Sequence, residues 1–129
     1  MDNELRYILI DDSEFDLFLN KEFLLMSGIT GPIESFDSAT DALAFIIKEG
    51  DEVKDSVILL DIHMPIMNGF EFLEKFELFP EHIKNRFKVF MVSSTLDFKD
   101  REQSKNSKIV IDLLPKPLNV NLLKDKLRS

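Results

Sequence analysis

Three short, uninterrupted apolar runs, each closing on a polar residue, do most to limit what this chain can fold into. Tyr7-Ile8-Leu9-Ile10 ends in Asp11-Asp12, Val57-Ile58-Leu59-Leu60 ends in Asp61, and Val89-Phe90-Met91-Val92 ends in Ser93. Runs without apolar/polar alternation fit strands covered on both faces, as in a parallel sheet. Each such strand then delivers a polar side chain at its C-terminal end.

The segments between the runs read as crossover helices. Ser13 caps a helix over residues 14–27, with Phe15, Phe18, Leu19, Leu25 and Met26 at helical spacing, the stripe an amphipathic helix turns to its core, and Gly28 as its stop. Residues 33–36 form a second strand. Ser38 and Asp41 have the spacing of a capping box, and Ala42, Leu43, Phe45, Ile46 and Ile47 continue as a helix ended by Gly50. The run at 57–60, the most apolar strand candidate, is expected at the centre of the sheet. Asn68-Gly69 opens a third helix carrying Phe72, Leu73, Phe76 and Phe79, terminated by Pro80. Residues 97–105 read as a helix polar nearly all round, with Phe98 its one large apolar residue, and so weakly docked. Ile109-Val110-Ile111 and Leu113-Leu114 give a fifth strand running to Lys116, and Val120, Leu123 and Leu127 a last helix.

Five strands alternating with five helices imply an α/β fold: a doubly wound, mostly parallel sheet with right-handed crossovers and helices on both faces. Residues 1–129 read as one domain, because a chain of this length with 44% hydrophobic residues and twelve Phe can bury one sizeable core. No apolar run approaches the roughly 18 residues of a membrane span, and Met1-Asp2-Asn3-Glu4 lacks the layout of a signal peptide. A cytoplasmic protein is expected. Cys is absent, which excludes disulfides, thiolate metal sites and Cys nucleophiles. The net charge of −8 is concentrated in residues 1–61, which disfavours nucleic acid and anionic membranes and suits metal cations.

Sheets of this kind bind ligands at the C-terminal edge of their strands. Asp11, Asp12, Asp61, Ser93 and Lys116 all fall at that edge, from four different strands. Three carboxylates brought together repel one another unless a cation neutralises them, and Mg²⁺ suits such a set because it takes few protein oxygens and leaves the rest to water and phosphate, with Mn²⁺ as the alternative. Asp61, held at the end of a buried run, can act as a nucleophile on phosphorus. Lys116 offers a point positive charge and Ser93 a hydroxyl, each able to hold one phosphoryl oxygen.

The acidic pair Asp11-Asp12, the stretch Leu60-Asp61-Ile62-His63-Met64-Pro65 through Asn68-Gly69, Val92-Ser93-Ser94 and Lys116-Pro117 together resemble a receiver domain of a bacterial two-component response regulator, over essentially the whole chain. The resemblance implies a flavodoxin-like sheet of order 2-1-3-4-5 and a single-domain, chemotaxis-regulator-like switch. It implies Asp61 as phosphoacceptor, Asp11, Asp12, Asp61 and the His63 backbone carbonyl as metal ligands, Ser93 as switch hydroxyl and Lys116 as the phosphate-contacting lysine. It also implies a cis bond before Pro117. His63 and Thr95, two residues beyond acceptor and switch hydroxyl, are then tuning residues for dephosphorylation. The implied partners are a sensor histidine kinase or histidine phosphotransfer protein and a downstream protein target, with the protein a monomer or a phosphorylation-linked dimer. Catalysis is expected to extend only to its own phosphorylation and dephosphorylation.

Two departures from the family pattern stand out. Ser93 takes the place of the commoner Thr, and Leu113 stands where many members carry a Tyr or Phe that rotates inward on activation. Signalling by displacement or ordering of the 97–105 helix is expected instead. Other classes fit less well. A pseudo-receiver usually lacks one of the acids or the lysine. A flavin-binding electron carrier needs a hydroxyl- and Gly-rich phosphate loop where Asp11-Asp12-Ser13-Glu14 would repel phosphate, and an Asp-nucleophile phosphohydrolase needs a second carboxylate where His63 stands. A chain ending about where the fold ends leaves protein–protein contact as the expected output.

Overall fold

The computed structural model describes residues 5–95 and 97–128. Strands β1 (Arg6–Ile10), β2 (Ile33–Phe36), β3 (Ser56–Asp61), β4 (Phe87–Ser93) and β5 (Val110–Pro115) alternate with helices α1 (Glu14–Met26), α2 (Ala39–Glu49), α3 (Gly69–Phe76), α4 (Glu81–Lys84), α5 (Phe98–Lys105) and α6 (Val120–Arg128). The strands form one sheet of order β2-β1-β3-β4-β5, every pairing parallel, with β3 at its centre.

Alternate residues of the buried strands feed two cores. Ile8, Ile10, Ile58, Leu60, Val89 and Met91 meet α2 and α3 through Leu43, Ile46, Phe72 and Phe76. Tyr7, Leu9, Val57, Leu59, Phe90 and Val92 meet α1 and α6 through Leu24, Val120 and Leu123. This two-sided covering is why the runs are continuously apolar. At about 25 cal/mol per Å² of apolar surface, each fully buried Leu, Ile or Phe contributes roughly 1.5–3 kcal/mol.

The edge of the sheet away from the strand C-termini is fixed by Arg6, which is buried. Its guanidinium donates to both Glu49 carboxylate oxygens at 2.7 and 2.9 Å and to Ser56 Oγ at 2.8 Å, and it lies 5.2 Å from the Phe45 ring centroid. Bidentate pairing of this kind satisfies a buried cation.

Four expectations need correction. The connection between β3 and β4 holds an extra short helix, so among the described residues five strands alternate with six α-helices. α3 stops at Phe76, and Phe79 packs against the core from the turn beyond it, because Pro80 caps α4 rather than ending α3. At α2 only half of the capping box forms, with Ser38 Oγ accepting from the Asp41 N–H. The complete box is at α3, where Asn68 and Glu71 bond reciprocally.

The largest correction concerns α1. Phe15, Phe18, Leu25 and Met26 point to solvent, at 67%, 59%, 48% and 79% exposure, while Leu24 and Asn20 are buried and Leu17 and Phe23 pack against the core. The helix carries two apolar stripes, and the polar Asn20 interrupts the one that faces inward.

Candidate functional site

Parallel pairing puts the C-terminal ends of β1, β3, β4 and β5 side by side, which brings Asp11, Asp61, Ser93 and Lys116 to one place. Asp11 and Asp61 are almost completely buried, while Asp12 is exposed. One carboxylate oxygen from each of Asp11, Asp12 and Asp61 lies within 4.8 Å of the others. Asp11 is oriented by the Ser13 N–H, which donates to Oδ1 at 2.9 Å, and its N–H donates to the Phe36 carbonyl. Ser13 Oγ in turn accepts from the Asp16 N–H as the cap of α1.

Lys116 is inserted among these acids. Its Nζ stands 2.7 Å from Asp11 Oδ2, 3.0 Å from Asp16 Oδ2 and 3.4 Å from Asp61 Oδ1. Its backbone N–H donates to the Ser93 carbonyl, tying the β5 end to the β4 end, and the Lys116–Pro117 bond is cis, as the resemblance implied. Burial pushes the Asp61 carboxyl up to about 6, and the Asp11 charge adds to the rise, against the opposing pull of Lys116 and of the His63 N–H. Burial alone would depress the Lys116 ammonium, but hydrogen bonds to Asp11 and Asp16 and the charges of Asp11 and Asp61 outweigh it, so its pKa is raised.

The donor set fits a divalent cation. It is all oxygen, three carboxylates share one small space, and one lysine does not neutralise them.

The backbone around Asp61 is equally constrained. A Cβ at Gly69 would lie 2.6 Å from the Asp61 carbonyl oxygen, and the Gly69 N–H donates to the Ile62 carbonyl at 2.8 Å. Only glycine lets the start of α3 approach the acceptor loop this closely. Within that loop Ile66 is fully exposed and holds φ at 70°, an uncommon conformation for a β-branched residue.

The remaining sequence candidates behave differently from one another. Ser93 Oγ is buried and donates to the Thr95 carbonyl at 2.7 Å while accepting from the Thr95 N–H at 3.1 Å, so its hydrogen bonds here are to the loop and not to Asp61. His63 Nε2 pairs with Asp100 Oδ2 at 2.9 Å, linking the acceptor loop to α5. Leu113 packs against the α2/α3 core. The inward face of α5 is polar, with Asp100 and Ser104 buried and Phe98 exposed. Sequence reasoning missed Asp16 and Asp100. Asp16 sits in the first turn of α1, and its spacing from the Asp pair was a signal that the misplaced stripe concealed.

Fold and site together define a flavodoxin-like α/β protein with an acidic pocket at the C-terminal edge of its sheet. The family model for the response regulator receiver domain matches residues 7–128, and the chain belongs to that family, the phosphoacceptor half of two-component systems. Among solved structures it is similar to a response regulator receiver protein from Dyadobacter fermentans, at 43% identity with 96% of this chain and 95% of that one covered and a TM-score of 0.90. A two component response regulator from Cytophaga hutchinsonii is 30% identical over 95% of this chain and 93% of that one, with a TM-score of 0.87. A CheY-like receiver domain protein from Methanospirillum hungatei is 28% identical over 96% and 90%, with a TM-score of 0.71. No curated protein matches the chain. Among the described residues, no helix is long and apolar enough to cross a membrane.

Proposed function

We propose that the chain accepts a phosphoryl group on Asp61 from a histidine-bearing donor, a sensor kinase or phosphotransfer protein, and passes the change to a protein target in the cytoplasm. The observation that carries this reading is the placement of a buried Asp61 carboxylate 3.4 Å from Lys116 and within 4.8 Å of the carboxylates of Asp11 and Asp12.

In the transfer, an Asp61 oxygen bonds to phosphorus as the phosphorus–nitrogen bond to the donor imidazole breaks. Asp11, Asp12, Asp61 and the His63 carbonyl would hold a Mg²⁺ or Mn²⁺ ion, which would supply neutralisation of negative charge on the phosphoryl oxygens. Lys116 contributes a second positive charge at the same oxygens, and Ser93 donates its hydroxyl once it leaves the Thr95 carbonyl. Gly69 keeps the acceptor loop tight, and the covered strand ends limit water. His63 and Thr95 flank the line of an attacking water and set how long the phosphoryl group lasts. The protein catalyses only its own phosphorylation and dephosphorylation.

The exposed stripe of Phe15, Phe18 and Met26 begins about one helical turn along the chain from Asp12. A helical surface presenting the donor histidine would bury this stripe while bringing its imidazole to Asp61. On the output side, Leu113 cannot report by ring rotation. Movement of Ser93 toward the phosphoryl group would instead pull the 94–95 loop and shift α5, whose polar inner face gives it little hydrophobic anchorage.

Incubation with a small phosphodonor and Mg²⁺, followed by intact mass, tests the assignment. The wild type is expected to gain one phosphoryl group and Asp61→Asn none. A wild type that stays unmodified would overturn it.

A further inference from the structure

We propose that Asp16 is a positioning residue: in the unphosphorylated protein it holds the Lys116 ammonium toward α1 and so restrains phosphoryl transfer to Asp61. The inference rests on Asp61 being the acceptor and adds to that reading a side chain outside the metal-ligand set and the switch pair.

The geometry favours the α1 side. Lys116 Nζ is 3.0 Å from Asp16 Oδ2, where it makes a hydrogen bond, and 2.7 Å from Asp11, against 3.4 Å from Asp61. Asp11 is an intended metal ligand, so a bound cation competes with Lys116 for it. Asp16 is not, and it remains the carboxylate that opposes movement of the ammonium onto an incoming phosphoryl oxygen. Its place is built rather than incidental: the Asp16 N–H is fixed by Ser13 Oγ at 3.1 Å, and one helical turn further on the buried Asn20 continues the same face. A cleft of about 360 Å³ lined by Asp16, Leu19, Asn20, Ser94, Lys116 and Pro117 leaves the lysine room to move.

Two measurements test the restraint. With an anionic small phosphodonor at limiting concentration, Asp16→Asn should raise the initial rate of phosphoryl gain about three- to tenfold, as expected for removing one partly solvated charge. Asp16→Glu, which keeps the charge, should return the rate to that of the wild type. The second is a metal-free thermal cycle of Asp16→Asn, Lys116→Ala and the double variant. Asp16→Asn should lower Tm more when Lys116 is present than when it is absent, because the favourable placement of Asp16 at the α1 N-terminus is common to both backgrounds and cancels in the cycle. A rate for Asp16→Asn at or below wild type, or equal Tm changes in the two backgrounds, overturns the restraint alone. No phosphoryl gain by the wild type overturns the acceptor assignment, and the restraint with it.

Discussion

The His63 imidazole meets the Asp100 carboxylate at 2.9 Å, joining the loop that follows the acceptor to the helix that follows Ser93. Asp100 is one of only two buried residues of α5, both polar. Helix docking of this kind depends on a few polar contacts instead of an apolar seam, so α5 is poised to respond when the acceptor loop changes. In wild type, the amides of residues 97–106 should exchange faster than those of β1 and β3, change on phosphorylation, and speed up further in Asp100→Asn. Protection equal to the central strands, unaltered by phosphorylation, would rule out this route.

The tuning roles of His63 and Thr95 bear on lifetime rather than on uptake. His63→Asn removes the imidazole that pairs with Asp100, and Thr95→Glu adds a carboxylate to the loop bonded to Ser93. Decay of the phosphorylated form, followed by intact mass, is expected to change by severalfold in the pair relative to wild type. Unchanged decay would remove both residues from the mechanism.

Asp61 carries a stability signature. Its carboxyl titrates at about 6, above its ordinary value of 3.8, so the native state binds the proton more tightly than the unfolded chain. Stability contributed by this group is fully present below the unfolded value and is lost as pH rises through about 6. Without divalent metal, Asp61→Asn should therefore be more stable than wild type at pH 7, by roughly 1–3 kcal/mol, and the advantage should shrink toward pH 4. Mg²⁺ should raise the Tm of the wild type and not that of Asp61→Asn. Chemical denaturation across pH checks the first, a thermal melt the second.

Gly69 is the least replaceable residue near the site. A methyl group there meets the Asp61 carbonyl at 2.6 Å, and the obstacle is backbone, which cannot swing aside. Gly69→Ala should cost about 2 kcal/mol or more and slow phosphorylation as the acceptor loop is displaced. Urea unfolding and phosphoryl uptake of the same variant measure the two effects.

The exposed stripe on α1 separates donor docking from chemistry. Phe18→Glu leaves the core untouched because the ring faces solvent. Transfer from a phosphohistidine protein should fall about tenfold, the scale of one interface anchor, while uptake from a small phosphodonor stays at the wild-type level. Equal rates from the protein donor would remove the stripe from the interface.

The apolar runs of β1, β3 and β4 and the acids that close them are local features. A continuous run can be satisfied only between two covering layers, so the fold class and the Asp11, Asp12, Asp61, Ser93 and Lys116 set could be read from the chain, while the strand order came only with the resemblance to receiver domains. The rotation of α1 could not. Both of its stripes have helical period, and the choice between them depends on how the Asp11 loop sets the helix against β1 and where Lys116 arrives from the far end of the sequence. The same holds for Asp16 beside Lys116, 100 residues apart, and for His63 beside Asp100, 37 apart. Periodicity and motif spacing report on a segment's own geometry, whereas the partner of a charged side chain is set by which strand ends the parallel sheet places next to one another.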